Sequence, residues 1–268
     1  MHKRKIWKWT KIILMLYGVI GIALYYLQDY FLFHPKPLPA THRFSIKGRF
    51  HEIFIPFSKT DTIHILRFLP DTGKSKGAVL YFHGNKENVE RYAGFAHAFT
   101  SRGYEVWMPD YPGFGKSTGD RDEKKLYSQA WQVYKLLTNS FSADSVLVYG
   151  KSFGTGFAAY ISSGNRCRYL ILETPYYSIP ALFSHYAPIY PAGYMSNYQL
   201  PLYKYLSDVH VPVAILHGTD DGVIPFSQAK KLESLLKPGD RFIRIEGGTH
   251  HNLAGYAQYA DLVKSVCP

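Results

Sequence analysis

Ser152 lies between two glycines in the sequence GKSFG, a spacing typical of an activated serine nucleophile. Residues 146–149 form an apolar, β-branched and aromatic run that predicts a buried strand, and the small and apolar residues that follow Ser152 suit a helix. A nucleophile on such a tight turn strains the backbone, and Gly150 and Gly154 remove side chains that would collide with it. A glycine-containing turn can also match this short pattern by chance. The predicted strand before Ser152 and the predicted helix after it make a chance match less convincing.

Two other predicted strand ends carry residues that would complete a nucleophilic site. Asp220 and Asp221 follow one apolar run, and His250 and His251 follow another. A histidine can take the proton of a serine while a carboxylate orients the imidazole. An Asp-Gly turn is also common on its own account, and the paired histidines lack further ligands at zinc-like spacing. The residues therefore predict the chain order Ser, Asp, His and leave the choice within each pair open.

A third strand end, YFHGN at 81–85, predicts a turn with free backbone N–H groups. A tetrahedral oxyanion needs two fixed donors, and we assign them to the backbone amides of Phe153 and Asn85. His83 is interpreted as a structural histidine that braces this loop. The expected chemistry uses neither a metal nor an organic cofactor.

The elements that must position these residues begin near residue 50. Two early runs resemble an antiparallel pair, and β/α alternation follows, which predicts a mostly parallel sheet covered on both faces. In such sheets, ligand-binding and catalytic residues lie at the carboxyl ends of the strands. Helices are predicted at 121–137, with Asp120 as the cap, at 226–237 and at 253–266. The eight predicted strands are 50–57, 62–69, 78–84, 104–110, 145–150, 168–174, 211–218 and 241–247.

Composition and charge exclude some classes of function. The 268 residues are 46% hydrophobic, enough for one large core, and the formal net charge is +11. No Lys/Arg-rich run occurs after the first eleven residues, so we predict an ordinary basic surface and no nucleic-acid binding. Five basic residues lie near the N-terminus: Lys3, Arg4, Lys5, Lys8 and Lys11.

Cys167 and Cys267 are the only cysteines, and either a disulfide or two unreactive free thiols would fit them.

An uncharged apolar segment at 12–27 predicts a membrane anchor. As a helix it is about 24 Å long, and residues 30–33 extend it toward the roughly 30 Å of a bilayer core. Trp7 and Trp9 suit the headgroup zone. A cleaved signal peptide is disfavoured because bulky residues follow the segment, where signal peptidase needs small ones. A buried core helix is disfavoured because such a helix would show a polar face, and this segment shows none. We therefore expect an uncleaved single-pass anchor, with the N-terminus cytoplasmic and the remainder exported.

The predicted organisation has three parts. Residues 1–33 form the cytoplasmic stub and transmembrane helix, and the proline-spaced residues 34–45 form a linker. Residues 46–268 form the catalytic domain. Within it, 175–206 is a long, Tyr-rich and Pro-rich insertion at the place where a cap would cover the serine.

The sequence resembles the α/β-hydrolase superfamily, in particular its small membrane-anchored serine hydrolases with a short cap. The resemblance covers roughly residues 30–266 and implies an α/β-hydrolase fold with an eight-stranded, mostly parallel sheet. It also implies Asp221 as the catalytic acid and His250 as the base, a choice that spacing alone leaves open. It rests on the segments FLFHPKP, LYFHGNKENV, MPDYPGFGKSTG, YGKSFGTGFA, LHGTDDGVIP and GGTHHN.

These observations together predict a serine hydrolase that cleaves carboxylic esters or thioesters through an acyl-enzyme on Ser152, with His250 and Asp221 completing the triad. The substrate would be a small acyl ester or thioester, and the anchor favours lipid-like ones. A serine peptidase or amidase of the same fold is one alternative. A non-catalytic, membrane-tethered binding protein is the other.

Overall fold

The computed structural model describes residues 2–71 and 73–268, which form a central sheet covered by helices. Its strands are β1 His34–Pro35, β2 Phe50–Pro56, β3 Thr62–Phe68, β4 Gly77–Phe82, β5 Lys86–Glu87, β6 Tyr104–Pro109, β7 Val146–Lys151, β8 Tyr169–Glu173, β9 Val213–Gly218 and β10 Arg241–Ile245. Its α-helices are α1 His2–Tyr26, α2 Gln28–Leu32, α3 Val89–Tyr92, α4 His97–Thr100, α5 Glu123–Thr138, α6 Gly154–Gly164, α7 Ile179–Tyr186, α8 Ala192–Met195, α9 Leu202–Ser207, α10 Phe226–Lys230 and α11 Ala257–Val266.

The main sheet has eight strands in the order β10-β9-β8-β7-β4-β6-β3-β2, which confirms the predicted α/β-hydrolase fold. Strand β3 pairs antiparallel with β2 and β6, and the other neighbours are parallel. The register pairs Gly150 with both Phe82 and Leu172, near the carboxyl ends of three adjacent strands. The loops after these strands therefore leave the sheet at one edge, where the ligands of such folds bind.

The two faces of the sheet bury separate apolar clusters because side chains alternate along each strand. In β7, Val148 joins the cluster that contains residues of α5 and α6, and Tyr149 joins the cluster that contains residues of α4 and α11. Strand β7 is completely buried, as is typical of a central parallel strand. The predicted covering of both faces is confirmed.

Three helix predictions differ in detail. Helix α5 is capped by Asp122, whose Oδ1 accepts from the backbone N–H of Lys125 at 3.0 Å, so the predicted cap at Asp120 is wrong. The helix predicted at 226–237 ends at Lys230 and continues as a 3₁₀ turn at Glu233–Leu235. The last helix starts as a 3₁₀ turn at Leu253–Gly255 before α11. Short i→i+3 turns of this kind are not visible in an apolar periodicity.

Helix α1 is long and apolar enough to cross a membrane. The segment that follows it lies on the domain, although we predict residues 34–45 as a linker. Strand β1 pairs in parallel with β5, and Pro37 forms a bridge to Gly115. Phe33 is buried among aromatic rings that include Phe153. This part of the chain therefore belongs structurally to the domain.

The insertion at 175–206 lies between β8 and β9 and contains the short helices α7 and α8 and all but the last residue of α9. Both cysteines are buried and free, so Cys167 and Cys267 form no disulfide.

Candidate functional site

Ser152 occupies the turn between β7 and α6 with φ of 54°, a left-handed conformation that is rare for a residue with a side chain. A Cβ atom at position 154 would lie 2.1 Å from the carbonyl oxygen of Phe82, and one at position 150 would lie 2.6 Å from the Cα of Thr155. Both neighbours are backbone atoms that cannot move aside. The glycines flanking Ser152 therefore permit the turn, as the sequence pattern suggests.

The structure brings Ser152, His250 and Asp221 together. Nε2 of His250 lies 2.9 Å from Oγ of Ser152, and Nδ1 of His250 lies 2.8 Å from Oδ2 of Asp221. All three side chains are more than nine-tenths buried. The adjacent candidates are placed elsewhere: Asp220 accepts from Thr219, and His251 is exposed. Across residues 2–71 and 73–268, no hydrogen bond joins Ser152 to either of them.

The two predicted oxyanion donors also lie beside Ser152. Within the described part of the chain, the backbone N–H groups of Phe153 and Asn85 donate no hydrogen bond, so both are free for a ligand. Asn85 is fixed by the segment after α1, because its Nδ2 donates to the carbonyl of Leu32 at 2.6 Å and its carbonyl accepts from the N–H of His34 at 2.9 Å. A pair of fixed donors of this kind stabilises developing negative charge.

Comparisons with known proteins show which family and fold this chain resembles. A family model described as "Serine aminopeptidase, S33" matches residues 73–204, which include Ser152, Asn85 and Phe153 and end before Asp221. The Alpha/beta hydrolase domain-containing protein 17C of Mus musculus is 28% identical over 218 residues, which is 80% of this chain and 66% of that protein. This chain thus spans just under two thirds of that relative's length.

Solved structures share the fold. An esterase of Pyrococcus furiosus, Pf2001, superposes with a TM-score of 0.69 at 14% identity, covering 88% of this chain and 97% of that one. The thioesterase domain from the curacin biosynthetic pathway superposes with a TM-score of 0.61 at 14% identity, covering 81% of this chain and 100% of that one. This chain is a member of the α/β-hydrolase superfamily.

Asp221 of this α/β hydrolase is held as a carboxylate. Its Oδ1 accepts from the N–H groups of Val223 and Ile224, both at 2.8 Å, and its Oδ2 faces His250 and Nε2 of His217. Burial raises the pKa of this carboxyl, but the hydrogen bonds from His217 and His250 outweigh it and lower the pKa below its usual value. An ionised Asp221 fixes a proton on Nδ1 of His250 and leaves Nε2 to accept from Ser152.

The sequence reasoning missed His217 as part of the site. It lies in β9, fully buried, with Nε2 2.8 Å from the carbonyl of Ile224 and 3.3 Å from Oδ2 of Asp221. A histidine inside an apolar run resembles any core residue. Its only signal is its position four residues before the acid, in the same strand-end turn.

His83 braces the loop before Asn85 through Asp110. Nε2 of His83 lies 3.3 Å from Oδ1 of the completely buried Asp110, which also accepts from the N–H of Val89 at 2.8 Å. The other oxygen of Asp110 faces Nδ1 of His64 at 3.3 Å. Burial raises the pKa of Asp110, and the contacts with His64 and His83 outweigh it and lower that pKa. Asp110 therefore ties the Asn85 loop to the sheet.

A cleft of about 330 Å³ opens beside Ser152 and is lined by cations. Lys86, Arg91 and Lys151 line it, and within the described residues no carboxylate does. Lys151 pairs with the buried Glu173 behind it, and Arg91 pairs with Glu87. The cleft therefore presents donors to whatever enters it, and among the described residues Lys86 is the lining cation that no carboxylate pairs with.

His251 lies at the rim of the same cleft, and the cations that line the cleft affect its pKa. Partial burial lowers the pKa of its imidazole, and the nearby cations Lys151, Arg91 and Lys86 lower it further. The uncharged form of His251 is thus favoured beside Ser152.

Proposed function

We propose that this α/β hydrolase is a serine hydrolase that cleaves carboxylic esters or thioesters. One observation carries the proposal: His250 lies within hydrogen-bond reach of Ser152 on one side and of Asp221 on the other. A nucleophile, a base and an orienting carboxylate in this arrangement are what acyl transfer requires. The esterase and thioesterase named among the fold neighbours act on the same classes of bond.

The proposed reaction has two halves. His250 takes the proton from Oγ of Ser152 while that oxygen attacks the acyl carbon, and the amides of Phe153 and Asn85 bind the resulting oxyanion. Collapse breaks the bond to the alcohol or thiol, which leaves with the proton from His250. Water, deprotonated by His250, then cleaves the acyl-enzyme and restores Ser152.

A peptidase is the second candidate because the matching family model is that of a serine aminopeptidase. An aminopeptidase must hold the α-ammonium group of its substrate, and carboxylates do this best. The cleft beside Ser152 is lined by Lys86, Arg91 and Lys151 instead. This lining favours ester or thioester substrates over peptides with a free amino terminus.

We also propose the arrangement of the chain in the cell. Residues 1–33 would form the cytoplasmic stub and transmembrane anchor, and the catalytic domain would lie on the exported side, with 175–206 as its cap. The apolar length of α1 and the five basic residues in its first half support this orientation.

The test is labelling of the full-length protein in detergent with a fluorophosphonate probe, next to Ser152→Ala. We expect labelling of the wild type and none of the variant, with hydrolysis of p-nitrophenyl esters and acyl thioesters but not of aminoacyl p-nitroanilides. Preferential cleavage of the anilides would instead identify a peptidase. A folded wild type that takes no label would contradict the hydrolase and favour a tethered binding protein.

A further inference from the structure

The tip of the cap, residues 186–195, lies against helix α1. The ring of Tyr190 stacks on that of Tyr17, with centroids 4.7 Å apart and planes 7° from parallel. The hydroxyl of Tyr17 donates to the carbonyl of Ile189 at 3.2 Å, and that of Tyr190 donates to the carbonyl of Tyr17 at 3.0 Å. A Cβ at Gly21 would lie 3.0 Å from the ring of Tyr190, so a glycine permits this close approach.

A second contact joins the same elements nearer the domain. Gln28, between α1 and the domain, donates from Nε2 to the carbonyl of Met195 at 3.1 Å and accepts from the N–H of Asn197 at 2.6 Å. Tyr17 and Gln28, which both contact the cap, lie eleven residues apart, and a helix of this length rises roughly 16 Å. The cap tip therefore accompanies α1 over much of the length that would lie in a bilayer.

The cap tip has the composition of a membrane-facing surface. Residues 186–203 carry no charged side chain. Tyr194 is 94% exposed, Ile189 is 70% exposed and Tyr186 is 59% exposed. Large apolar side chains clustered on a surface mark a binding face, and these adjoin a helix suited to lipid. The apolar surface is thus continuous from α1 onto the cap.

Most backbone N–H groups of the cap tip are paired, which matters in lipid because unpaired N–H groups are costly there. Within the described residues, only those of Ile189 and Gly193 in this segment donate no hydrogen bond. Pro188 and Pro191 have no N–H to satisfy. The N–H groups of residues 190, 192, 194, 195 and 196 all donate to backbone carbonyls within the cap.

We infer that the cap tip is a second membrane-embedded element, which inserts into the lipid bilayer alongside α1. The bilayer is the occupant of this surface because the surface continues that of α1. The cap also reaches the catalytic loop: the hydroxyl of Tyr186 donates to the carbonyl of Val223 at 2.8 Å, and the N–H of Val223 donates to Asp221. Membrane contact is thereby linked to the mouth of the cleft, which Val223 lines.

The experiment places a single nitrobenzoxadiazole fluorophore on the full-length protein in vesicles of phosphatidylcholine and phosphatidylglycerol. The variants are Tyr194→Cys in the cap, Val19→Cys in α1 and, as a matched exposed aromatic outside the cap, Trp131→Cys. Because Cys167 and Cys267 are buried, the wild type supplies the unlabelled baseline. Nitroxide-labelled lipid and aqueous iodide are the two quenchers.

We expect nitroxide lipid to quench most of the emission from positions 194 and 19, and iodide to quench only position 131. If iodide quenches position 194 as it does position 131, the inference is wrong. Shielding of position 194 from both quenchers would also overturn it and would indicate a second copy or a protein partner. Emission from position 19 that resists nitroxide lipid would overturn it as well, because both elements are placed in the bilayer. Fluorophosphonate labelling of each variant reports the active site separately and checks that the domain is folded.

Discussion

Nε2 of His217 lies 3.3 Å from Oδ2 of Asp221, the same carboxylate oxygen that contacts His250. Two imidazoles thus share one carboxylate, and His217 acts on the proposed reaction only through Asp221. Replacing His217 with leucine removes one of the groups that lower the pKa of Asp221, so this pKa should rise. We expect kcat to fall about tenfold, the worth of one hydrogen bond, and the acid limb of the pH–rate profile to move to higher pH. His217→Gln keeps a donor and should restore most of the profile, whereas equal profiles for all three proteins would give His217 a packing role only.

Asp221→Asn should abolish most turnover because it removes the charge that selects the tautomer of His250. A loss of about 10⁴-fold in kcat is expected, measured with p-nitrophenyl esters. Asp220→Asn is the matched control, since the Asp220 side chain contacts Thr219 outside the triad. A comparable loss in both variants would contradict the assignment of the acid.

Gly154→Ala should distort the turn at Ser152, because the new Cβ would meet the carbonyl of Phe82. We expect a cost of about 3 kcal/mol in unfolding free energy and the loss of fluorophosphonate labelling. Gly164, at the other end of α6, has open space around it, so Gly164→Ala should change stability by less than about 1 kcal/mol. Denaturant unfolding of the two variants checks the contrast, and full labelling of Gly154→Ala would contradict the steric argument.

Asp110→Asn should destabilise the protein at neutral pH by about 3 kcal/mol, because it removes the charge from a buried group that holds His64 and His83. A carboxyl with a lowered pKa stabilises the fold above its unfolded pKa of about 4, and this contribution is lost as pH falls through the folded pKa. The gap between wild type and variant should therefore narrow below about pH 4. Chemical unfolding at several pH values measures this difference in unfolding free energy. Asp144→Asn, at an exposed site, is the control. A difference that stays constant with pH would contradict a role for the charge of Asp110.

The cation-lined cleft predicts a preference for anionic acyl groups. Mono-p-nitrophenyl succinate should have a higher kcat/KM than p-nitrophenyl butyrate, which has the same chain length without the carboxylate. No salt bridge to Lys86 occurs in the described ranges, so Lys86→Gln should lower kcat/KM for the succinate about tenfold and leave the butyrate unchanged. High salt should reduce the preference. Equal kcat/KM values for the two esters in the wild type would contradict the prediction.

Strong local patterns predict the framework of this molecule well. Each of the eight strands of the main sheet lies within a few residues of its predicted bounds, because most of them are short, continuous apolar runs bounded by turns. The turn at Ser152 follows from its glycines. The choice of Asp221 over Asp220 and of His250 over His251 rests on family resemblance in the sequence and on contacts in the structure.

Other features have no pattern to reveal them. Strands β1 and β5 are two residues each, too short for any periodicity, and they pair segments some fifty residues apart in the chain. The contribution of His217 depends on which side chain its imidazole faces across the fold. The stack of Tyr190 on Tyr17 depends on how the cap docks on α1. These are products of tertiary packing rather than of local sequence.

The two bonds between Asn85 and the chain that follows α1 have a consequence for processing. A protease that cut between Leu32 and His34 would leave Ser152, His250 and Asp221 in one fragment with His34. The loop that carries a proposed oxyanion donor would then lose its bond to Leu32 and keep its bond from the N–H of His34. A fragment without Leu32 is then expected to hold the backbone amide of Asn85 less rigidly and to turn over its substrate more slowly. Cleavage at this junction would therefore weaken the proposed activity rather than mature the enzyme.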